Sequence, residues 1–403
     1  MTLFRTYKLE DLLKAIFSGG TPSTTHPEYW NGEFPWLSSG ETNQPYISKT
    51  EKTITQEGIN QSSTRFAPPG AVVMASAGQG KTRGQTSFLK IGVYINQSII
   101  AMVPDETQLL AKYLYYNLQF RYDELRSSSD SSSTRGSITT ELLKTLKITI
   151  PDLPTQEKIA SILSAYDDAI ENNNKRIKIL EKMAENLYRE WFVRMRFPGH
   201  ETAEYENGLP KGWKRTTVED LSSVLKRGIS PEYSEVGSSR VINQKCIRSS
   251  IMDITESRFQ IKEFNQELNL IDGDTVICST GTGTLGRVGQ IFGNYPNTTF
   301  DSHITMVRAK KGIGQEYLYH TLKNLQPWFM SMGIGSTNQQ ELYRSTIKNA
   351  KVVFPSADLA KKFEHISQSF HQEITFLLDQ TSVLRKQRDM LLPRLILEQS
   401  IHF

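Results

Sequence analysis

The chain carries much of its pattern twice, and that repetition constrains its fold more than any other feature. Tyr113-Leu114-Tyr115 returns 204 positions later as Tyr317-Leu318-Tyr319. At the same shift Ser98 and Met102-Val103 return as Ser302 and Met306-Val307, and Pro151 as Pro355. Leu180, Lys182 and Leu187 likewise return as Leu384, Lys386 and Leu391. Near the start the shift is 209, Glu10-Asp11-Leu12 matching Glu219-Asp220-Leu221, which assigns length differences to surface loops. A period of about 200 residues is a duplicated domain with its connector, because solenoids repeat every 20–50 residues.

Each half opens on a mixed region that runs to Pro151 or Pro355. Short β-branched runs, Gly70-Ala71-Val72-Val73-Met74 and Thr275-Val276-Ile277-Cys278, alternate there with glycine turns. Helical stretches follow near Leu109–Leu125 and Gln315–Phe329. The pattern predicts an α+β domain in each half, and a long helix after each.

After Pro154, apolar positions step by four and three: Ile159, Leu163, Tyr166, Ile170, Asn173, Ile177, Leu180, Ala184, Leu187, Trp191. This is a heptad seam with one polar break at Asn173, and Thr155 is the expected N-cap. The second half repeats it more weakly as Phe363, Ser367, Phe370, Ile374, Leu377, Thr381, Leu384, Arg388, Leu391, Leu395. Two amphipathic helices each lying on its own domain would not need a strict 3.5-residue period, so the seams predict a coiled-coil pair. A helix from Thr155 to Phe192 spans about 57 Å at 1.5 Å per residue. Connectivity then predicts antiparallel pairing about a pseudo-two-fold axis, a dumbbell. The expected segments are a first domain over 1–152, a first helix over 153–196, a second domain over 197–355, and a second helix and tail over 356–403.

With 37% hydrophobic and 22% charged residues, 403 positions can build real cores in two or three domains. Two cysteines, Cys246 and Cys278, each in a strand-like run, make no disulfide framework and no zinc spacing; buried thiols are expected. No stretch of 18 apolar residues and no leader-like start occur, so a cytosolic protein away from membranes is expected. The net charge of +4 tolerates a polyanion without coating it, which leaves phosphate neutralisation to be shared with partners.

The helix borders carry a family likeness. Pro151-Asp152-Leu153-Pro154-Thr155-Gln156-Glu157-Lys158-Ile159-Ala160 resembles the start of the helices in type I restriction-modification specificity subunits. Leu187-Tyr188-Arg189-Glu190-Trp191-Phe192-Val193-Arg194-Met195-Arg196-Phe197-Pro198-Gly199-His200-Glu201 resembles their central exit segment, and Arg388-Asp389-Met390-Leu391-Leu392-Pro393-Arg394-Leu395-Ile396 the C-terminal one. Ser18-Gly19-Gly20-Thr21-Pro22-Ser23 resembles the opening motif of a target-recognition domain, and Ser132-Ser133-Thr134-Arg135-Gly136-Ser137-Ile138 a motif near its end. The second half departs from both, with Lys226-Arg227-Gly228-Ile229-Ser230 and Gly335-Ser336-Thr337-Asn338-Gln339-Gln340.

The resemblance implies a non-catalytic subunit whose two target-recognition domains each read half of an interrupted site on double-stranded DNA. It implies two methyltransferase subunits and restriction-translocase subunits as partners, in a bacterial or archaeal cytoplasm. S-adenosylmethionine, ATP and Mg²⁺ would then belong to those partners, with no cofactor or metal in this chain. Loop cations suited to phosphates or base edges are Lys81, Arg83, Arg135, Lys226, Arg227, Lys245, Arg248 and Arg287, with Asn338 and Gln339 suited to a purine edge.

Two readings from other classes compete. Ala75-Ser76-Ala77-Gly78-Gln79-Gly80-Lys81-Thr82 fits a relaxed P-loop, which would suggest a nucleotide-dependent enzyme. A P-loop must open a helix, however, and strand-like Ile91-Gly92-Val93-Tyr94-Ile95 follows instead. The repeat segment Ser279-Thr280-Gly281-Thr282-Gly283-Thr284-Leu285-Gly286-Arg287 also keeps the glycines and loses the lysine. The other competitor is a coiled-coil scaffold without a DNA role. No Asp/Asn-Pro-Pro-Tyr/Phe segment marks an adenine methyltransferase, and His303 and His320 lack evident triad partners.

Overall fold

In the computed structural model the described residues are 4–78, 80–132, 136–281, 283–335 and 340–397. The chain divides into two units, Met1–Asn172 with Thr381–Phe403, and Asn173–Gln380. The expected borders at 152, 196 and 355 follow chain segments, whereas the units cut through both long helices. Each helix contributes its two ends to different cores.

In the first unit a five-stranded sheet runs in the order Leu13–Ser18, Ile99–Pro104, Val72–Ala75, Thr86–Leu89, Tyr46–Ile47. A four-stranded sheet, in the order Lys52–Ile54, Trp30–Leu37, Val93–Ile95, Arg65–Ala67, contains a parallel pair between Trp30–Leu37 and Val93–Ile95. A ribbon of Arg5–Lys8 and Lys147–Ile150 closes the domain beside helix Ala111–Phe120.

The second unit repeats this plan. Its first sheet runs Ser222–Arg227, Ile304–Ala309, Thr275–Cys278, Val288–Gln290, one strand fewer. Its second runs Tyr233–Ser234, Arg258–Gln260, Ser239–Ile242, Thr298–Phe300, and again holds one parallel pair. The closing ribbon is Lys214–Thr217 with Lys351–Phe354, and the helix Gln315–Asn324 lies 204 positions after its counterpart. The duplication is thus tertiary as well as sequential, and both domains are α+β.

The opening glycine motif has a packing role. A Cβ on Gly19 would stand 2.0 Å from the Ile95 carbonyl oxygen, and one on Gly228 2.1 Å from that of Phe300. In each unit the chain leaving the first sheet crosses the end of a strand of the second, and Gly20 and Ile229 donate backbone N–H bonds to Ile95 and Phe300. Only glycine permits that approach. In the second unit Gly228-Ile229 stands where Gly19-Gly20 does in the first; a Cβ on Gly20 would stand 2.1 Å from Ser63 Oγ.

The first long helix spans Leu153–Tyr188 and continues as a π-turn over Arg189–Val193; the second spans Ala357–Leu397. The expected Thr155 cap is corrected: the helix opens two residues earlier, and the Asp152 carboxylate accepts the Thr155 N–H at 3.1 Å. Gln156, wholly buried, anchors this end. Its Nε2 donates to the carbonyls of Gln108 (3.0 Å) and Pro151 (2.9 Å), and its Oε1 accepts the Leu110 N–H (2.9 Å).

Ile159, Leu163, Ile170, Ile177, Phe363, Ile374 and Leu377 of the seams are buried, and Leu180, Leu187, Phe370, Leu384 and Leu391 half-buried. The strict heptad is corrected at two steps of the first helix and one of the second. Tyr166, Leu187 and Phe370 are partly exposed, and the next residues, Asp167, Tyr188 and His371, are buried in their place. A straight helix drifts about 20° per heptad from the 3.5 period, and these helices pack on their domains as well as on each other. Ile159 and Leu163 share a core with Leu12, Tyr115 and Leu395, and Phe363 shares one with Tyr188, Trp191 and Tyr317. Pairing is antiparallel: within the second unit Asn173 Nδ2 donates to Gln380 Oε1 at 2.8 Å, and Arg176 Nη2 to Glu373 at 2.6 Å. In the first unit Arg388 Nη1 donates to Asp167 at 2.5 Å.

Both cysteines are free and buried, and burial pushes their thiols up, Cys246 to about 11 and Cys278 to about 12. Cys246 ends a 3-10 turn, Gln244–Cys246, rather than lying in a strand as expected. No helix among the described residues is long and apolar enough to cross a membrane.

Candidate nucleic-acid interface

The loop after Val72–Ala75 is a hairpin connection, because that strand pairs antiparallel with Thr86–Leu89. The element that follows Lys81 among the described residues is the strand Thr86–Leu89 rather than a helix, so the loop does not open a helix as a phosphate cradle must. Helix Tyr122–Ser132 braces the loop: Tyr122 Oη donates to the Lys81 carbonyl at 2.7 Å, and Arg126 Nη1 to that of Arg83 at 3.1 Å. Lys81 itself is exposed.

Arg83 is not the free loop cation the sequence suggests. Its side chain is 9% exposed and its Nη2 donates to Asp130 Oδ1 at 2.5 Å. The acid is 47 residues away in sequence, so no local pattern announces it. Arg287, its repeat mate, is half-buried and makes no ion pair or side-chain hydrogen bond among the described residues.

In the second unit Lys226 is tied to Glu267 and Arg227 to Glu341 by ion pairs. Glu341 bridges to Thr280 and Ile334, so Arg227 fastens a strand end to the segment beyond residue 339. Lys245 and Arg248 are exposed and, like Arg287, make no ion pair among the described residues. One side chain joins the elements that carry Lys245 and Arg287: Gln244 Nε2 donates to Thr280 O at 2.8 Å and Thr280 Oγ1 at 2.7 Å. His303 Nδ1 lies 2.6 Å from the same hydroxyl. These positioning residues, Gln244, Thr280 and His303, carry no sequence signal of their own. Arg135, Asn338 and Gln339 lie outside the described residues.

The arrangement offers cations on turns held by neutral hydrogen bonds, which suits polyanion contact. Among the described residues no group of three or more His, Cys, Asp or Glu could hold a metal ion.

The family model described as the type I restriction modification DNA specificity domain matches residues 1–182 and 210–378. The chain is 27% identical over 410 residues to the MjaIX specificity subunit of Methanocaldococcus jannaschii, covering 96% of this chain and 91% of that one. Over 155 residues it is 32% identical to the EcoR124I/EcoR124II specificity subunit of Escherichia coli, 38% of each chain. The crystal structure of the S subunit of a type I restriction-modification system from M. genitalium superposes with a TM-score of 0.59 at 18% identity, covering 99% of this chain and 97% of that one, and so shares the fold. With both halves matched over most of its length, this chain belongs to the type I restriction-modification DNA specificity family.

Proposed function

We propose that the two domains read two different half-sites of one interrupted DNA sequence, in the major groove, and that the paired helices set the distance between them. The observation that carries this is a repeated framework with unrepeated surface chemistry. The sheets, closing ribbons and Gly19/Gly228 crossing recur. Arg83 is locked to Asp130, while Arg287, Lys245 and Arg248 stand free of ion pairs among the described residues. Duplicated scaffolds that present different polar edges suit an asymmetric target.

In this reading the chain is a non-catalytic subunit. Its helices dock two methyltransferase subunits, which bind S-adenosylmethionine and methylate adenine N6 after flipping the base out. Restriction-translocase subunits using ATP and Mg²⁺ complete the assembly. The net charge of +4 supports shared phosphate neutralisation.

Methylome sequencing of a host with and without this gene tests the reading. One bipartite motif should vanish with the gene, and replacing residues 1–152 by the domain of a relative should change one half of that motif. If no motif depends on the gene, or both halves change together, the two-reader model fails.

A further inference from the structure

The first domain braces its glycine turn with polar groups, and the second leaves the same place apolar. Gly84 lies against the helix Tyr122–Ser132, where a Cβ would stand 3.5 Å from Arg126 Cγ. Gly286 lies against the helix Gln326–Ser331, where a Cβ would stand 2.6 Å from the Met330 nitrogen. By the 204-residue equivalence Met330 takes the place of Arg126, and Ile334 that of Asp130. The arginine that holds the Arg83 carbonyl and the carboxylate that neutralises the Arg83 side chain are both replaced by apolar groups. Met330, Met332 and Ile334 are 51%, 37% and 56% exposed. We infer that these three side chains form the contact for a thymine C5-methyl group in the half-site that the second domain reads.

The apolar segment is fixed in place among the turns that carry the cations. Gly333 passes so close to Leu285 that a Cβ would stand 2.4 Å from the leucine Cδ2. Ile334 and Glu341 exchange backbone N–H bonds at 3.0 and 2.9 Å. Glu341 bridges in turn to Thr280, the residue that holds Gln244. Lys245 follows Gln244, and Arg287 follows Gly286. Backbone contacts therefore place one cation-bearing turn at either end of the segment, and neither cation makes an ion pair among the described residues.

Exposed apolar residues scattered singly are ordinary, but three within five positions, between two unpaired cations, mark a contact surface. The occupant follows from that mixture. Three side chains fall far short of the roughly 20–30 residues a side that a protein interface uses. The major-groove face of the base pairs carries one apolar group, the thymine methyl, set among acceptors and phosphates that suit lysine and arginine. Flexible methionines and an isoleucine can close over a methyl while the flanking cations reach the polar groups around it. This rests on the two-reader model.

Deoxyuridine, which lacks the methyl, tests the contact when it replaces one thymine at a time in duplexes offered to the chain purified with its partner subunits. The half-site that survives exchange of residues 1–152 belongs to the second domain. Within it one deoxyuridine should weaken binding about fourfold, the loss of one buried methyl group. M330S/I334S should bind the thymine and deoxyuridine duplexes alike, with a Tm close to the parent's because both side chains are exposed. If that variant fails to fold, M332S makes the same comparison. Parent binding that ignores every deoxyuridine in that half-site, or a variant that keeps the full preference for thymine, would overturn the inference. So would a folded variant that no longer joins its partner subunits, since the patch would then be a protein interface. A parent complex that prefers no sequence at all would overturn the two-reader model itself, and the inference with it.

Discussion

Arg83 and Arg287 occupy equivalent points of the repeat, yet only Arg83 is buried against a carboxylate, that of Asp130. The two arginines should therefore respond differently to truncation. R287A should leave the Tm nearly unchanged and weaken specific DNA binding by the assembled complex. A bidentate base contact would cost roughly 1–3 kcal/mol, whereas a phosphate contact would lower the salt slope by about 1. R83A should instead lower the Tm, by removing a packed side chain from the braced hairpin. Titrations at several salt concentrations beside melting curves separate the two. Equal losses of affinity with no loss of stability would show Arg83 reaching DNA after all.

The second unit contains two buried histidines shifted in opposite directions. Burial lowers His320 to about 4. At His371 burial also opposes the charge, but the side chains of Asp272 and Glu316 outweigh it and lift the group to about 9. A histidine raised from about 6.5 to about 9 gives stability that is full below 6.5 and lost as pH rises through 9. One lowered to about 4 costs stability as pH falls from 6.5 towards 4, because only the unfolded chain takes the proton. Stability of this unit should peak near pH 6.5. H371N should flatten the alkaline limb and H320N the acid one, as read from urea midpoints across pH. An alkaline limb unchanged in H371N would exclude that histidine as its source.

Arg308 ties the strand Ile304–Ala309 to the turn at residue 274. Its Nε and Nη2 donate to the two Asp274 carboxylate oxygens at 2.8 and 2.7 Å, and Nη2 also to the Asn269 carbonyl at 2.9 Å. Asp274 is fully buried, and burial pushes its carboxyl up despite the hydrogen bonds from Arg308 and the Ile271 N–H. R308A should therefore destabilise by about 3–5 kcal/mol, and D274L/R308M should recover much of the loss. Urea denaturation measures both. A double variant no better than R308A would mean that the pair contributes more than its desolvation costs.

Much of this architecture was legible because repetition is a non-local signal written directly in the chain. Tyr113–Tyr115 and Tyr317–Tyr319 mark the same helix in both units, and Pro151 and Pro355 mark the ends of the closing ribbons. What stayed hidden depends on partners distant in sequence. Nothing near Arg83 points to Asp130, and nothing in the seam distinguishes Tyr166 from Asp167. The heptad reading considers one neighbour, the other helix, whereas Asp167 also answers to Tyr116 on its domain. The start-of-helix motif was visible as a likeness; only the three hydrogen bonds of Gln156 explain what it does.

The helix pair can be tested as a ruler, and the contact register says where to cut. Asn173 meets Gln380, so insertions after Asn172 and after Gln380 lie opposite one another. Insertions after Ile170 and Ile374, equivalent by the repeat, would not, because antiparallel partners are not repeat mates. Seven residues in each helix nearly preserve the buried stripe, with a drift of about 20°. The pair should lengthen by about 10 Å at 1.5 Å per residue, or about three base pairs of spacer at 3.4 Å each. Three base pairs also turn one half-site by roughly 100° about the duplex, at 10–10.5 pairs per turn. Methylome sequencing should then find unchanged half-sites across a longer gap, or no methylation because the second reader meets the wrong face. Full methylation at the original gap would show that something other than the helices sets the spacing.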